Sequence, residues 1–221
     1  MSNPTIRIPV NPQKAKHALF ALIGALVSLH LLTGLWLTFF PGEGSASLYR
    51  MFNIGTEQNL PTHVTSILWF IAACLTYYRA SLDQAESLTR PYWLFLVVVC
   101  LFISIDEIAM LHERTIIPIR ELTGATGIFY HAWIIPYGLA TIFIGGLFIR
   151  FLRRIEPRLA MLFLISGTLY VTGALGFEMI EGYLLQPGGL GEGVLYRAAY
   201  TIEETLELTG LAIFIYTLVL A

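Results

Sequence analysis

Long apolar stretches, separated by short polar connections, make up most of the chain. Six of them can be distinguished, at residues 17–40, 61–80, 91–112, 130–151, 157–185 and 195–221. At 1.5 Å per residue, each is long enough to cross the roughly 30 Å hydrocarbon core of a bilayer. Because open sheet edges are excluded from lipid, we predict an all-α protein. It would be a six-helix transmembrane bundle that forms a single integral membrane domain over residues 1–221.

Composition favours a membrane protein over a soluble one. Hydrophobic residues make up 56% of the chain and charged residues 13%, whereas soluble domains carry roughly 25% charged residues. So few charges cannot cover a water-exposed surface. The basic residues Lys14 and Lys16 precede an apolar stretch that is too long for a signal peptide, so we expect an uncleaved first span. The loops match no nucleic-acid-binding motif, and no nucleic-acid partner is expected.

Lysine and arginine are distributed unevenly between the two predicted ends of the bundle. The end that holds both termini carries Arg7, Lys14, Lys16, Arg79, Arg90, Arg150, Arg153, Arg154 and Arg158, and the opposite end carries Arg50, Arg114, Arg120 and Arg197. This excess predicts that both termini are cytoplasmic. All acidic residues except Asp83, Glu86 and Glu156 fall at the opposite end. That acidic end is expected on the periplasmic side of a bacterial inner (plasma) membrane.

Acidic side chains and histidines recur at this end of three predicted spans and at the start of a fourth. The candidate metal ligands are Asp106, Glu107, His112, His131, Glu178, Glu181, Glu203, Glu204 and Glu207. A charge run is often a solvated helix face, but here alanine, isoleucine and leucine surround the acids of the last span. Because ionisable side chains are costly in hydrocarbon, such a cluster predicts a functional site.

So many like charges cannot all be ionised at close range in a low dielectric. They must be protonated, paired with arginine or neutralised by a metal. Helix-borne glutamate and histidine side chains that project inward build carboxylate-bridged di-metal sites in helical bundles. Oxygen-rich ligation with imidazole suits one or two ions of iron or manganese, with zinc as an alternative. The Glu-x-x-His pairs of such sites are absent, so the nitrogen ligands would be His112 and His131.

Other polar residues have simpler explanations in their local sequence. Glu57, His63 and Glu113 lie at helix ends, where an interfacial position accounts for them. Asn59 is expected to cap the second span, with Pro61 in its first turn. His30, in the middle of the first span, is expected to be a helix-packing residue.

Two short segments carry a resemblance. E-x-N-x-P-T occurs at Glu57, Asn59, Pro61 and Thr62, and S-x-D-E-x-x-x-x-H-E runs from Ser104 to Glu113. Both segments resemble a group of uncharacterised bacterial multi-spanning membrane proteins. The resemblance covers a small part of the chain. It implies that the entry to the second span and the exit of the third belong to one site, and it implies no reaction.

Three functions fit this pattern. The first is a membrane metalloenzyme, more readily an oxidoreductase than a zinc hydrolase. Its substrate would be a lipid or quinone from the outer leaflet, and Tyr196 and Tyr200 are the candidate catalytic side chains. The second is a proton or cation pathway along the glutamates of the last span. The third is a non-catalytic subunit of a larger membrane complex, whose acidic face binds a basic partner.

Overall fold

All regular structure in the described part of the chain is helical. The computed structural model describes residues 11–83 and 87–221. In these residues eight helices follow one another: α1 Pro12–Phe39, α2 Glu43–Phe52, α3 Leu60–Leu82, α4 Arg90–Ala109, α5 Leu111–Thr123, α6 Ile134–Leu152, α7 Pro157–Leu185 and α8 Val194–Leu220. The predicted all-α class is therefore confirmed. Arg7 and Glu86, which contribute to the predicted orientation, lie outside the described residues.

Five of the helices are long and apolar enough to cross a membrane, namely α1, α3, α4, α6 and α7. They overlap the first five predicted spans and indicate an integral membrane protein. Helix α8 has 27 residues. Every 18-residue stretch of it contains Glu203, Glu204 and Glu207, so its composition alone does not mark it as a span.

Helix α8 is nevertheless central to the packing. It contacts α1, α3 and α7, and its second half buries Leu208, Leu211 and Phe214. Helices α3 and α4 form the other extensive pair. At the end of the bundle away from the acidic residues, aromatic side chains interlock, as where the Trp93 and Phe151 rings meet edge to face, 4.8 Å apart. Such contacts hold the apolar half of the bundle together.

Helices α7 and α8 approach each other closely at Gly210. A Cβ atom added there would lie 2.8 Å from the backbone nitrogen of Tyr170 and 2.9 Å from the carbonyl oxygen of Ser166. The Ser166 hydroxyl also donates a hydrogen bond to the Gly210 carbonyl oxygen, at 2.8 Å. Small residues allow this kind of approach between membrane helices.

The third predicted span ends earlier than expected. Helix α4 stops at Ala109, and Met110 adopts left-handed backbone with φ 53° before α5 begins. The break is stabilised by Asp106, whose Oδ1 accepts the backbone N–H of His112 at 3.0 Å. This bond satisfies a donor in the first turn of α5 that has no partner within the helix. His112 therefore belongs to a second helix and not to the end of the third span.

Other boundaries differ less. The connection predicted between the first two spans contains α2, and α6 begins at Ile134, a turn later than expected. The predicted cap of α3 is confirmed, because Asn59 Oδ1 accepts the backbone N–H of Thr62 at 3.2 Å and a proline occupies the first turn.

The close approach of α7 and α8 predicts a steric effect of Gly210→Ala. We expect this substitution to destabilise the protein by about 1–3 kcal/mol, because the added methyl group meets backbone atoms that cannot move independently. Unfolding in mixed micelles, followed by circular dichroism, measures the change. Gly24→Ala on α1 is the control, since an added Cβ there meets nothing within 4 Å. Equal stability of the two variants would contradict the close approach.

Candidate metal site in a membrane-embedded cavity

A cavity of about 950 Å³ lies among α4, α6, α7 and α8. Two histidines and nine acidic residues line one end of it, which we call the carboxylate end. They are Glu57, Asp106, Glu107, His112, Glu113, His131, Glu178, Glu181, Glu203, Glu204 and Glu207. The cavity thus brings together all of the predicted metal ligands and adds Glu57 and Glu113.

The first of two ligand groups joins α7 to α8. Glu178, Glu181 and Glu203 each offer one oxygen, and these atoms lie within 4.8 Å of one another. The carboxyl group of Glu203 is hydrogen-bonded to those of Glu178 and Glu181. The Glu181 side chain is buried, at 3% exposure, and its Oε1 has no hydrogen-bond partner among the described residues. Carboxyl groups this close must share a proton or a cation.

The turn before α6 brings nitrogen donors to this first group. Nδ1 of His131 lies 2.7 Å from Glu178 Oε1, and the indole N–H of Trp133 donates to the same oxygen at 2.9 Å. Arg120 fixes the turn, because its Nε donates to the Tyr130 carbonyl oxygen at 2.7 Å and its guanidinium stacks on the Tyr130 ring. The turn therefore sets His131 beside a carboxylate from another helix.

The second ligand group lies where α5 faces the segment before α3. Glu57, His112 and Glu113 offer ligand atoms within 4.8 Å of one another. Nδ1 of His112 lies 2.8 Å from Asp106 Oδ2, which orients the imidazole ring. Glu57 Oε2 is buried without a hydrogen-bond partner in the described part of the chain. The two segments that carried the resemblance, around Glu57 and around Asp106, thus meet at one place.

Burial and charge shift the protonation of this second group. Burial raises the pKa of Glu57 to about 7; the neighbouring Glu113 and Asp106 add to the rise and His112 opposes it. Burial lowers the pKa of His112, but the hydrogen bond and charge of Asp106, with the charges of Glu57 and Glu178, outweigh it and raise that pKa. A proton is therefore held here near neutral pH, at a place where a metal would compete with it.

A third set of acids lies deeper, along α4 and α8. Glu107, Glu204 and Glu207 line the cavity, and the Tyr170 hydroxyl is hydrogen-bonded to Glu207. Helix α7 contains a π-helical turn over Thr172–Phe177, immediately before Glu178. Such turns insert one residue into a helix and are frequent at functional sites.

The tyrosines of α8 line the same cavity. The hydroxyl oxygens of Tyr200 and Tyr49 are 2.7 Å apart, and the rings of Tyr196 and Tyr200 meet edge to face. Gly55 packs against the Tyr200 ring so closely that an added Cβ would overlap it. Tyr49, Tyr137 and Tyr170 gave no signal in the sequence, because only the tertiary structure brings Tyr137 to Asp106, Tyr170 to Glu207 and Tyr49 to Tyr200. His63 is exposed and does not line the cavity.

The fold and the cavity together define a multi-span membrane protein with a buried carboxylate cluster that could hold a metal. Residues 18–221 match the family described as "Domain of unknown function (DUF8692)", and the chain belongs to that family. No curated protein and no solved structure matches the chain.

The bond between Trp133 and Glu178 predicts a coupled pair of substitutions. Trp133→Phe removes the donor and should cost about 1.5–3 kcal/mol of stability, the usual contribution of a hydrogen bond to a charged group. When Glu178 is already replaced by glutamine, Trp133→Phe should lower the stability by less. Unfolding of the two single variants and the double variant measures the coupling. Trp36→Phe, at a residue 56% exposed, controls for the loss of an indole. Strictly additive effects would contradict the bond.

Proposed function

We propose that this chain is a metal-dependent membrane enzyme that binds one or two metal ions at the carboxylate end of the cavity. One observation carries the proposal: each ligand group contains a buried carboxylate oxygen without a hydrogen-bond partner in the described residues, at Glu181 and Glu57. Burying a carboxylate without a partner is costly, and a bound cation removes that cost.

The donor set indicates which ions fit. In the first group Glu178, Glu181 and Glu203 would hold the ion together with His131. The second group would use Glu57, His112 and Glu113, and Asp106 would fix the imidazole, as carboxylates commonly do for histidine ligands. Glu107, Glu204 and Glu207 complete the proposed set. Several carboxylates with one imidazole per group favour iron or manganese, with zinc as the alternative.

The proposed topology follows the distribution of charge. Helix α8 is taken as the sixth span, because its packing against α1, α3 and α7 puts it inside the bundle. The excess of lysine and arginine at the other end supports cytoplasmic termini and a site in the periplasmic leaflet of a bacterial inner membrane. The whole chain then forms one membrane domain.

The proposed reaction class is the oxidation or reduction of a lipid or quinone. A bound iron or manganese ion would supply electron transfer, chemistry that side chains alone do not provide. Tyr196 and Tyr200 line the cavity, and Tyr200 shares a hydrogen bond with Tyr49. A proton that Tyr200 donates to a substrate oxygen could therefore be replaced from Tyr49. This is the catalytic role that we assign to the pair on α8.

The two other functions have less support. A proton or cation pathway needs polar groups along its whole length, but away from the carboxylate end the described residues that line the cavity are mainly apolar. A docking subunit would use exposed acids, and Glu43 and Glu192 are exposed. Glu57 and the deeper acids instead line the cavity, and none of them is exposed.

Metal content tests the proposal directly. Protein purified in mild detergent without chelators should contain iron, manganese or zinc in a fixed ratio of one or two ions per chain, measured by elemental analysis. Glu203→Gln should lower metal affinity by about tenfold or more, since even groups that only orient ligands change it by about 10- to 100-fold. Glu43→Gln, at an exposed glutamate outside the cavity, should retain the metal.

An optical or paramagnetic resonance spectrum of the same samples distinguishes redox-active ions from zinc. Chelation followed by addition of Mn²⁺, Fe²⁺ or Zn²⁺ supplies a second readout, because an ion that binds the folded state raises its melting temperature. Wild-type protein with no bound metal and no change in melting on addition of any of the three ions would refute the proposal.

A further inference from the structure

The cavity continues beyond the carboxylates as an apolar arm. Its walls are Leu96, Val99 and Ile103 of α4, Ile144, Phe148 and Leu152 of α6, Leu164 and Val171 of α7, and Phe214 of α8. Along α4 the arm extends from Asp106 to Leu96, an axial distance of roughly 15 Å at 1.5 Å per residue. This depth matches about one leaflet of a bilayer whose hydrocarbon core is roughly 30 Å thick.

The arm adjoins the lipid between α6 and α7. Gly145 on α6 and Gly167 on α7 both line the cavity, both are exposed, and an added Cβ at either would meet nothing within 4 Å. Within α6 only Ile134 and Phe151, near its two ends, are buried. The middle of α6 therefore stands away from its neighbours and leaves a lateral opening through which a hydrocarbon chain can enter.

The charge of the cavity restricts the head of any such ligand. Nine acidic residues line the cavity, and no lysine or arginine of the described residues does. A phosphate or carboxylate head would have no arginine partner, and it would meet acids in surroundings of low dielectric. A hydroxyl or carbonyl group suffers no such repulsion. It can bond to His131, Tyr196 or Tyr200 or to a protonated carboxyl group.

We propose that the cavity binds a lipid with a single hydrocarbon chain and an uncharged head that bears a hydroxyl or carbonyl group. The chain fills the apolar arm, and the head lies among the carboxylates and tyrosines. This proposal rests on the proposed function for the chemistry at the head. Entry of the chain into the arm, in contrast, depends on the shape and apolar lining of the arm and not on a bound metal.

Head contacts set the selectivity of this site. A hydrocarbon chain that moves from the bilayer into the arm exchanges one apolar environment for another, so it gains little from the hydrophobic effect. The width of the arm beside Gly145 and Gly167 then determines which chains enter, and the charge at the carboxylate end determines which heads remain bound. Lipids with anionic heads are rejected at the second step.

Photolabelling with a hexadecanol that carries a diazirine in mid-chain tests this site in nanodiscs. Labelling should be saturable, should map to α4, α6 and α7, and should be displaced by unlabelled hexadecanol but not by hexadecyl phosphate. Gly145→Phe fills the arm and should weaken labelling by about tenfold or more, as expected when an apolar pocket no longer fits its ligand. The matched control is Gly146→Phe. That neighbouring residue does not line the cavity, and an added Cβ there also meets open space.

The outcomes are distinguishable from those of the metal test. Gly167→Leu fills the arm from the opposite helix and replaces Gly145→Phe if the latter does not fold. The proposal would be overturned if the arm-filling variants were labelled as strongly as the wild-type protein. It would also be overturned if hexadecyl phosphate displaced the label as well as hexadecanol does. Suppose that the protein contains no metal, and that Gly145→Phe loses labelling whereas Gly146→Phe does not. This result would support the lipid site and reject the proposed metalloenzyme.

Discussion

Keeping carboxylates in apolar surroundings is the constraint on which the rest of this structure depends. Nine acidic residues line one cavity, and no lysine or arginine of the described chain faces them. Isolated ionised groups in such a place would be strongly destabilising, so the acids must be neutralised by protons, by one another or by a cation. The distortions of the neighbouring helices become understandable as means of holding these acids together.

Two local departures from regular helix and one glycine serve this purpose. The break at Met110 turns His112 back toward Asp106, so that one carboxylate both caps α5 and orients an imidazole. The π-helical turn in α7 changes the direction of the residues that follow, beginning with Glu178. At Gly173 an added Cβ would lie 2.9 Å from Glu207 Cγ, so the absence of a side chain there makes room for an acid of α8. Each of these features lies next to acids that line the cavity.

Hydropathy predicted the helices well because burial in lipid leaves little choice of backbone structure. Five spans follow directly from it. The acids and histidines could be selected as a cluster because their cost in lipid is independent of the fold. The break after Ala109 and helix α2 could not be predicted this way, because each depends on contacts and on local hydrogen bonds that hydropathy does not record. For the same reason the sequence did not assign Glu57 and Glu113 to the site. A position at a helix end explains a glutamate equally well until its neighbours in the fold are known.

The two halves of the cavity impose opposite requirements on a ligand, and a lipid with an uncharged head meets both. The apolar arm accepts a hydrocarbon chain but supplies little affinity beyond what the bilayer already offers. Affinity must therefore arise at the carboxylate end, where an anionic head is repelled. A metal ion bound there would lessen the net negative charge and present an electrophile to a hydroxyl or carbonyl oxygen. The proposed metal and the proposed lipid thus depend on the same feature: acids gathered in a cavity that no lysine or arginine of the described residues lines.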